Sequence, residues 1–322
     1  MRPFSLFLLA VVAGCSAAPP DCRVGADCAS GVCLGDGTCA PIDADGGNTG
    51  GGAGGGGGSG GGTGGSGGGG GAGGSGGSGG SGGGGNDGGV CLPNNDGVVT
   101  RGELFFIPGT RANQRVASNV TFDTAGTLQP DGGRVWSLDG ALAGDQTVLF
   151  EAQPITGAWF ESSFQGATYA VRLSGGSDLL GVFEATATEL KLRGIVSPQA
   201  GTFRTEMTYS PAATILKFPI QLNATWSSSS TVSGLNQGFF NTWTEDYSST
   251  VDRNGEVATP FARFGALRVY TTLTRTVGVV PTITRTHAFI AECFGPVATL
   301  VSDANESSAN FTSVSEARRL TP

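Results

Sequence analysis

Residues 90–322 predict an all-β fold, an antiparallel meander forming a curved sheet, half-barrel or sandwich. Apolar and polar residues alternate there in short runs, the period of a strand with one buried face. The runs are separated by Gly, Pro, Asn and Asp, the residues that turns demand. Thr, Ser and Val are frequent and charge is sparse, 14 Arg and 2 Lys against 20 Asp and Glu, while helix signals stay weak throughout. A small disulfide knot and a disordered Gly-rich linker precede this domain.

Residues 1–14 read as a signal peptide: Met1-Arg2 supply the positive start, and an apolar run from Phe4 to Ala13 leads to small residues. That run is too short to span a bilayer. The tetrad Val12-Ala13-Gly14-Cys15 resembles the lipobox of bacterial lipoproteins. The resemblance implies cleavage before Cys15 and acyl chains on its thiol and new amino group, making residues 15–20 a lipid-anchored N-terminus. The bland alternative is an ordinary signal peptide with an incidental cysteine. Several acyl chains, at ~0.8 kcal/mol per buried methylene, make a stable membrane anchor. Ser16 replaces the aspartate that holds enteric lipoproteins in the inner membrane, so the resemblance points to the outer membrane.

With Cys15 set aside, six of the seven cysteines remain for an oxidising compartment, and disulfides are the default. Residues 21–45 hold Cys22, Cys28, Cys33 and Cys39 among Gly and Asp turn-formers, a two-disulfide module with almost no core. Its three possible pairings stay open. A zinc site there would lack C-x-x-C pairs and any nearby histidine. Similar four-cysteine modules follow the lipid cysteine in myxobacterial lipoproteins. Residues 46–89 are the linker, with 32 of the 58 glycines and one charge, Asp87. Such a stretch has nothing to bury and maximal backbone entropy to lose. As a flexible coil it spans roughly 35–40 Å.

Composition switches at Cys91. Strands are expected at Glu103–Ile107, Arg115–Phe122, Arg134–Leu138, Gln146–Glu151 and Thr168–Leu173, then at Val182–Thr188 and Glu189–Val196 as a hairpin-like pair. Phe203–Tyr209, Ile215–Ile220 and Ala224–Val232 follow. Phe239–Val251 runs into Asn254-Gly255, a hairpin signal. Ala266–Val277, Thr282–Phe294, Val297–Ser302 and Phe311–Val314 complete the meander. Cys91 and Cys293 stand at opposite ends of the domain. They either bond to each other, or Cys91 joins the cysteine module and Cys293 remains a buried thiol.

Few constellations carry chemistry. Asn94, Asp96, Gly97 and Glu103 fall at positions three, five, six and twelve of an EF-hand loop, a candidate Ca²⁺ site. Position one is Leu92 instead of Asp, and no helix can exit, which favours a plain Asp-Gly turn. His287, the sole histidine, lies mid-strand on the face of Arg285 and Phe289 with no activated serine nearby. Glu245-Asp246 is an adjacent acidic pair whose members a strand would point to opposite faces. Trp136, Trp159, Trp226 and Trp243 either line a sugar or lipid groove or fill the core. The absence of any basic run argues against nucleic acid as a partner.

The segments Thr259–Val269 and Ala288–Ala298, with Leu216-Lys217-Phe218-Pro219 and Trp226, resemble periplasmic β-domains of the TapB-like family. That family is similar to the lipoprotein-carrier folds, in which a curved sheet wraps an apolar cavity. The likeness covers residues 200–302, departs at Glu292-Cys293-Phe294, and implies a fold and apolar ligand binding but no site residue. The expectation is therefore an outer-membrane lipoprotein without enzymatic activity or cofactor, binding or structural in role, with a lipid as a possible ligand. A tethered adhesin or glycan-binding domain is the alternative. A hydrolase using scattered carboxylates comes third.

Overall fold

A computed structural model describes residues 91–130 and 132–322, so the signal, lipid-anchor, cysteine-module and linker expectations lie outside the described residues. The first strands are β1 (Val98–Val99), β2 (Arg111–Thr121), β3 (Thr127–Leu128), β4 (Arg134–Ser137), β5 (Gln146–Glu151), β6 (Tyr169–Ser174), β7 (Ser177–Ala185) and β8 (Glu189–Val196). They continue as β9 (Glu206–Lys217), β10 (Ile220–Gln221), β11 (Thr225–Asn236), β12 (Phe239–Ala258), β13 (Arg263–Val277), β14 (Val280–Ala291), β15 (Gly295–Ser302) and β16 (Ser313–Leu320). Twelve of them form one antiparallel sheet in the order β5-β2-β16-β15-β14-β13-β12-β11-β9-β8-β7-β6, curved like a barrel. A bridge between Gln153 and Ala170 joins the two edge strands and nearly closes it. Closure covers strand edges that would otherwise template pairing with another chain.

Alternation sorts the side chains. On β13, Leu267 and Val269 enter one cluster while Phe264 and Ala266 enter another on the opposite face. The first cluster is the barrel interior. Its face carries Arg318 and Glu316 of β16, which cross to the β6–β7 turn, Arg318 Nη1 donating to Leu173 O (2.9 Å) and Glu316 accepting from Gly175 N (3.0 Å). Tyr169, Phe183, Leu192, Met207 and Trp226 fill this space, and Val99 and Leu104 of the N-terminal segment pack into it. Outside, Trp136 and Phe311 pad one flank, and Phe160 and Phe164 pad another. Buried clamps tie these outer layers down: Arg268 pairs with Asp252 and donates to Thr124 O, while Arg319 pairs with Asp145 and donates to Gly140 O.

Local chemistry overrides the sequence pattern in four places. The expected strand Glu103–Ile107 is instead a single 3-10 turn, Arg101–Glu103, because the Glu103 carboxylate accepts from Thr100 N (2.6 Å) and Thr100 Oγ1 (2.9 Å). Phe203–Tyr209 and Ile215–Ile220 are not two strands, since β9 runs from Glu206 to Lys217 through Pro211. Gly194 faces Thr208 while Leu192 faces Ala213, so the intervening residues bulge out of the β8 ladder, where a missing N–H costs little. The Asn254-Gly255 hairpin does not form. β12 passes straight through, and Gly255 instead makes room for β4, since a Cβ there would lie 2.3 Å from Arg134 O and 2.8 Å from the Trp136 ring. The final strand is Ser313–Leu320, with Phe311 packed in the outer cluster ahead of it.

Candidate functional site

The adjacent carboxylates Glu245 and Asp246 lie on β12 and point to opposite faces, as alternation requires. Glu245 is wholly buried inside the barrel. Its Oε1 accepts from Trp243 Nε1 (2.8 Å) and Arg275 Nε (2.8 Å), and its Oε2 from Tyr209 Oη (2.9 Å) and Tyr247 Oη (2.6 Å). The Arg275 guanidinium also stands 5.3 Å from the Trp243 ring centroid. A carboxylate has about four lone-pair positions, and all are used here, so none is left to take a proton from a substrate. Burial, then the Glu245 charge, raises the Tyr209 phenol. Burial, then the Tyr209 phenol and Glu245, raises Tyr247, so both hydroxyls stay protonated donors. The cluster pins β9, β12 and β13 together. It holds; it does not transfer.

Asp246 faces outward into a different landscape. Ser229–Asp246–Thr274, Ser227–Ser248–Thr272 and Thr231–Thr244–Thr276 form three parallel rows across β11, β12 and β13. Neighbours stand about 4.8 Å apart across the strands and about 7 Å along them, a flat lattice of hydroxyls. Ser227, Ser229, Asp246 and Ser248 are exposed, and Thr272 and Thr274 half-buried. They bound an open groove of about 370 Å³. Thr272 Oγ1 is engaged, donating to Tyr270 Oη and accepting from Arg285 Nη1 (3.1 Å each); each of the other hydroxyls can donate and accept, and Asp246 adds a charged acceptor. This chemistry suits a ligand with many hydroxyls of its own. A smaller concavity of about 260 Å³ lies beside Glu151, Arg172 and Asp178.

The remaining expected sites fall as follows. Asn94 and Asp96 sit in an exposed loop and Glu103 in the half-buried 3-10 turn after β1, with Asn94 Nδ2 donating to Glu103 Oε1 (3.2 Å), Asp96 N to Asn94 Oδ1 (2.9 Å) and Val98 N to Asp96 Oδ1 (2.8 Å). The oxygens that would wrap a cation are engaged by the loop itself, and among the described residues no three His, Cys, Asp or Glu side chains converge on a metal position. His287 is buried between Phe311 and Tyr270, with Nε2 2.9 Å from Ala309 O. Cys91 is bonded to Cys293. Cys15, Cys22, Cys28, Cys33 and Cys39 lie outside the described residues. Trp136 and Trp226 are core, and Trp159 and Trp243 are half-buried. Sequence reasoning passed over the hydroxyl rows, although the period-two Ser/Thr spacing at Ser227, Ser229, Thr231 and at Thr272, Thr274, Thr276 carries that signal. The chain matches no family model, no curated protein and no solved structure.

Proposed function

We propose that the chain is a lipid-anchored protein of the bacterial outer membrane whose β-domain binds without catalysing, its ligand a polysaccharide laid across the hydroxyl face of β11, β12 and β13. One observation carries the ligand class: the regular Ser/Thr lattice around Asp246, opening as a groove of about 370 Å³. The lattice is stiff because the Glu245 cluster clamps β12 and β13 from behind and reaches across β11 to Tyr209 of β9, which keeps the entropic cost of binding low. The lipobox resemblance at Cys15 and the glycine tract support the anchor and the tether.

The test is retention of the chain on insoluble cell-wall and capsular polysaccharides, compared with Asp246→Ala and with Ser229→Ala/Thr274→Val. A loss of about tenfold in affinity is expected from removing one charge-assisted hydrogen bond. Equal retention of all three proteins sinks the glycan reading. Palmitate labelling, abolished by Cys15→Ala, tests the anchor separately. A second reading, an apolar ligand within the curved sheet, draws on the carrier-fold resemblance and on the nearly closed barrel. Native mass spectrometry separates the two, because a stoichiometric acyl-chain adduct on a chain without Cys15 would favour the apolar ligand.

A further inference from the structure

At one end of the barrel the loops on the β8–β14 side carry an apolar tip, while the β15–β16 loop at the same end bears Asp303 and Glu306 and bonds to Ile283 through Asn305. Three loops meet there: residues 197–205 between β8 and β9, the β11–β12 turn at Gln237-Gly238, and the β13–β14 turn at Gly278-Val279. The first two touch, Gly238 N donating to Arg204 O (2.9 Å). Thr244 opposite Thr276 puts the third on the neighbouring hairpin, set back from the β11–β12 turn by about four residues. Phe203, Phe239 and Phe240 are 75%, 70% and 73% exposed, and Val279 is 91% exposed, with Val277 and Val280 also open. Residues 197–203, 236–242 and 276–282 contain no Asp, Glu, Lys or Arg. The nearest charges stand behind this rim as the pairs Arg204–Glu206 and Arg275–Glu245. The opposite end, at the Cys91–Cys293 bond, carries Asp96, Arg101, Glu103 and Glu292.

Large exposed apolar side chains grouped at one place mark an interaction surface. We infer that this rim dips into a lipid bilayer, with Phe203, Phe239, Phe240 and the valines in the acyl boundary and Arg204 at the level of the phosphates. Four features select a membrane. The β11–β12 and β13–β14 turns are hydrogen-bonded hairpins, so at these two places the backbone enters an apolar medium with its ladder bonds made. The rim lacks the charges that a protein partner's polar margin would pair with. Arg204, set one step back at the edge of its loop, matches a side chain that reaches for the headgroups while its stem stays apolar. Finally, the chain ahead of Cys91 is long enough to permit it. The expected linker alone, residues 46–89, would reach roughly 35–40 Å as a flexible coil and several-fold more when drawn out, so, on the anchor reading at Cys15, a domain held at Cys91 could turn its far end back to the bilayer. The rim is separate from the hydroxyl face and stands or falls without it.

The experiment is sedimentation of residues 16–322, free of the leader and of any acyl group, with vesicles of equal phosphatidylethanolamine and phosphatidylglycerol. The chain is expected to pellet with vesicles and to remain bound in high salt, since apolar insertion is not screened. Phe239→Ser/Phe240→Ser and Val279→Ser/Val280→Ser should each weaken partitioning by about tenfold or more. Both pairs are exposed, so unchanged thermal melting confirms that the variants fold. Absence of vesicle binding by the parent chain overturns the proposal, as does binding that both variants retain. Concentration-dependent self-association without vesicles, abolished by the same substitutions, would also overturn it and assign the rim to a second copy of the chain.

Discussion

His287 shows what a single buried titratable group does when it is not catalytic. Nε2 faces the Ala309 carbonyl, which only accepts, so that nitrogen carries the proton of the neutral ring. Nδ1 is buried with no partner. Burial, then the Arg268 charge and more weakly Arg253, push the imidazole down to about 3, while Asp252 and the Ala309 hydrogen bond oppose the shift. The folded ring therefore resists a proton that the unfolded ring takes near pH 6.5. Stability from His287 is complete above that value and is lost as pH falls towards 3, at about 1.4 kcal/mol per unit. Between pH 6.5 and 4.5 the chain should lose about 2 kcal/mol through this residue. His287→Gln keeps a donor for Ala309 and removes the titration, so its urea midpoint should fall less steeply over that range. Parallel pH profiles for the two proteins would contradict this account. Glu245 is the complementary case: four donors fix it as a strand clamp, and the charge that suggested chemistry in the sequence serves packing instead.

At the level of elements, most strands of the domain were legible in the sequence because their alternation is strict. Gln146–Glu151 and Glu189–Val196 match the structure to the residue. What was illegible depends on contacts distant in sequence. Gly255 looks like a hairpin residue beside Asn254, yet its role is set by Trp136 and Arg134, more than a hundred positions away. The true turns are Gln237-Gly238, with φ of 52° and 83°, and Gly278-Val279, with Gly278 at 61°. The first suits a type I′ loop and the second the leading glycine of a type II′ loop. The Glu245 cluster was equally hidden, since Tyr209 and Arg275 reach it from β9 and β13. Gly255 yields a direct prediction. Gly255→Ala puts a methyl into the Arg134 carbonyl and the Trp136 ring, so β4 must lift from β12 and expose the indole. A loss of about 2–3 kcal/mol is expected, as for overpacking against rigid backbone. It should appear as a lower denaturation midpoint with red-shifted tryptophan emission. Retention of the parent's midpoint and emission would show that β4 tolerates the displacement.

On the scale of the whole molecule, the Cys91–Cys293 bond decides how the barrel is held at the end where the chain arrives. Beside it, in the segment it anchors, β1 pairs with β10 over only Val98 and Val99, Cys293 N donates to Glu103 O (3.1 Å), and Asn95 N donates to Glu292 Oε2 (2.9 Å). Yet this segment supplies Val99 and Leu104 to the interior cluster, so losing it unseals one end of the core. The bond spans 202 residues. Closing a loop of that length removes unfolded-state entropy equivalent to roughly 5 kcal/mol in the chain-entropy limit, and unfolded-state structure lowers the realised figure. Two effects should therefore separate on removing it. Cys91→Ser/Cys293→Ser should lower the urea midpoint by an amount equivalent to about 3–5 kcal/mol. Limited proteolysis should first cut residues 91–104, because the local contacts left there are few. Intact mass of the parent chain under native and reducing conditions must differ by the two hydrogens of this bond, on top of those from any bond in the N-terminal module. If the double variant unfolds at the parent's midpoint and resists cleavage at 91–104, the hydrogen bonds and the packing of Val99 and Leu104 suffice to seal the barrel, and the disulfide contributes nothing to its stability.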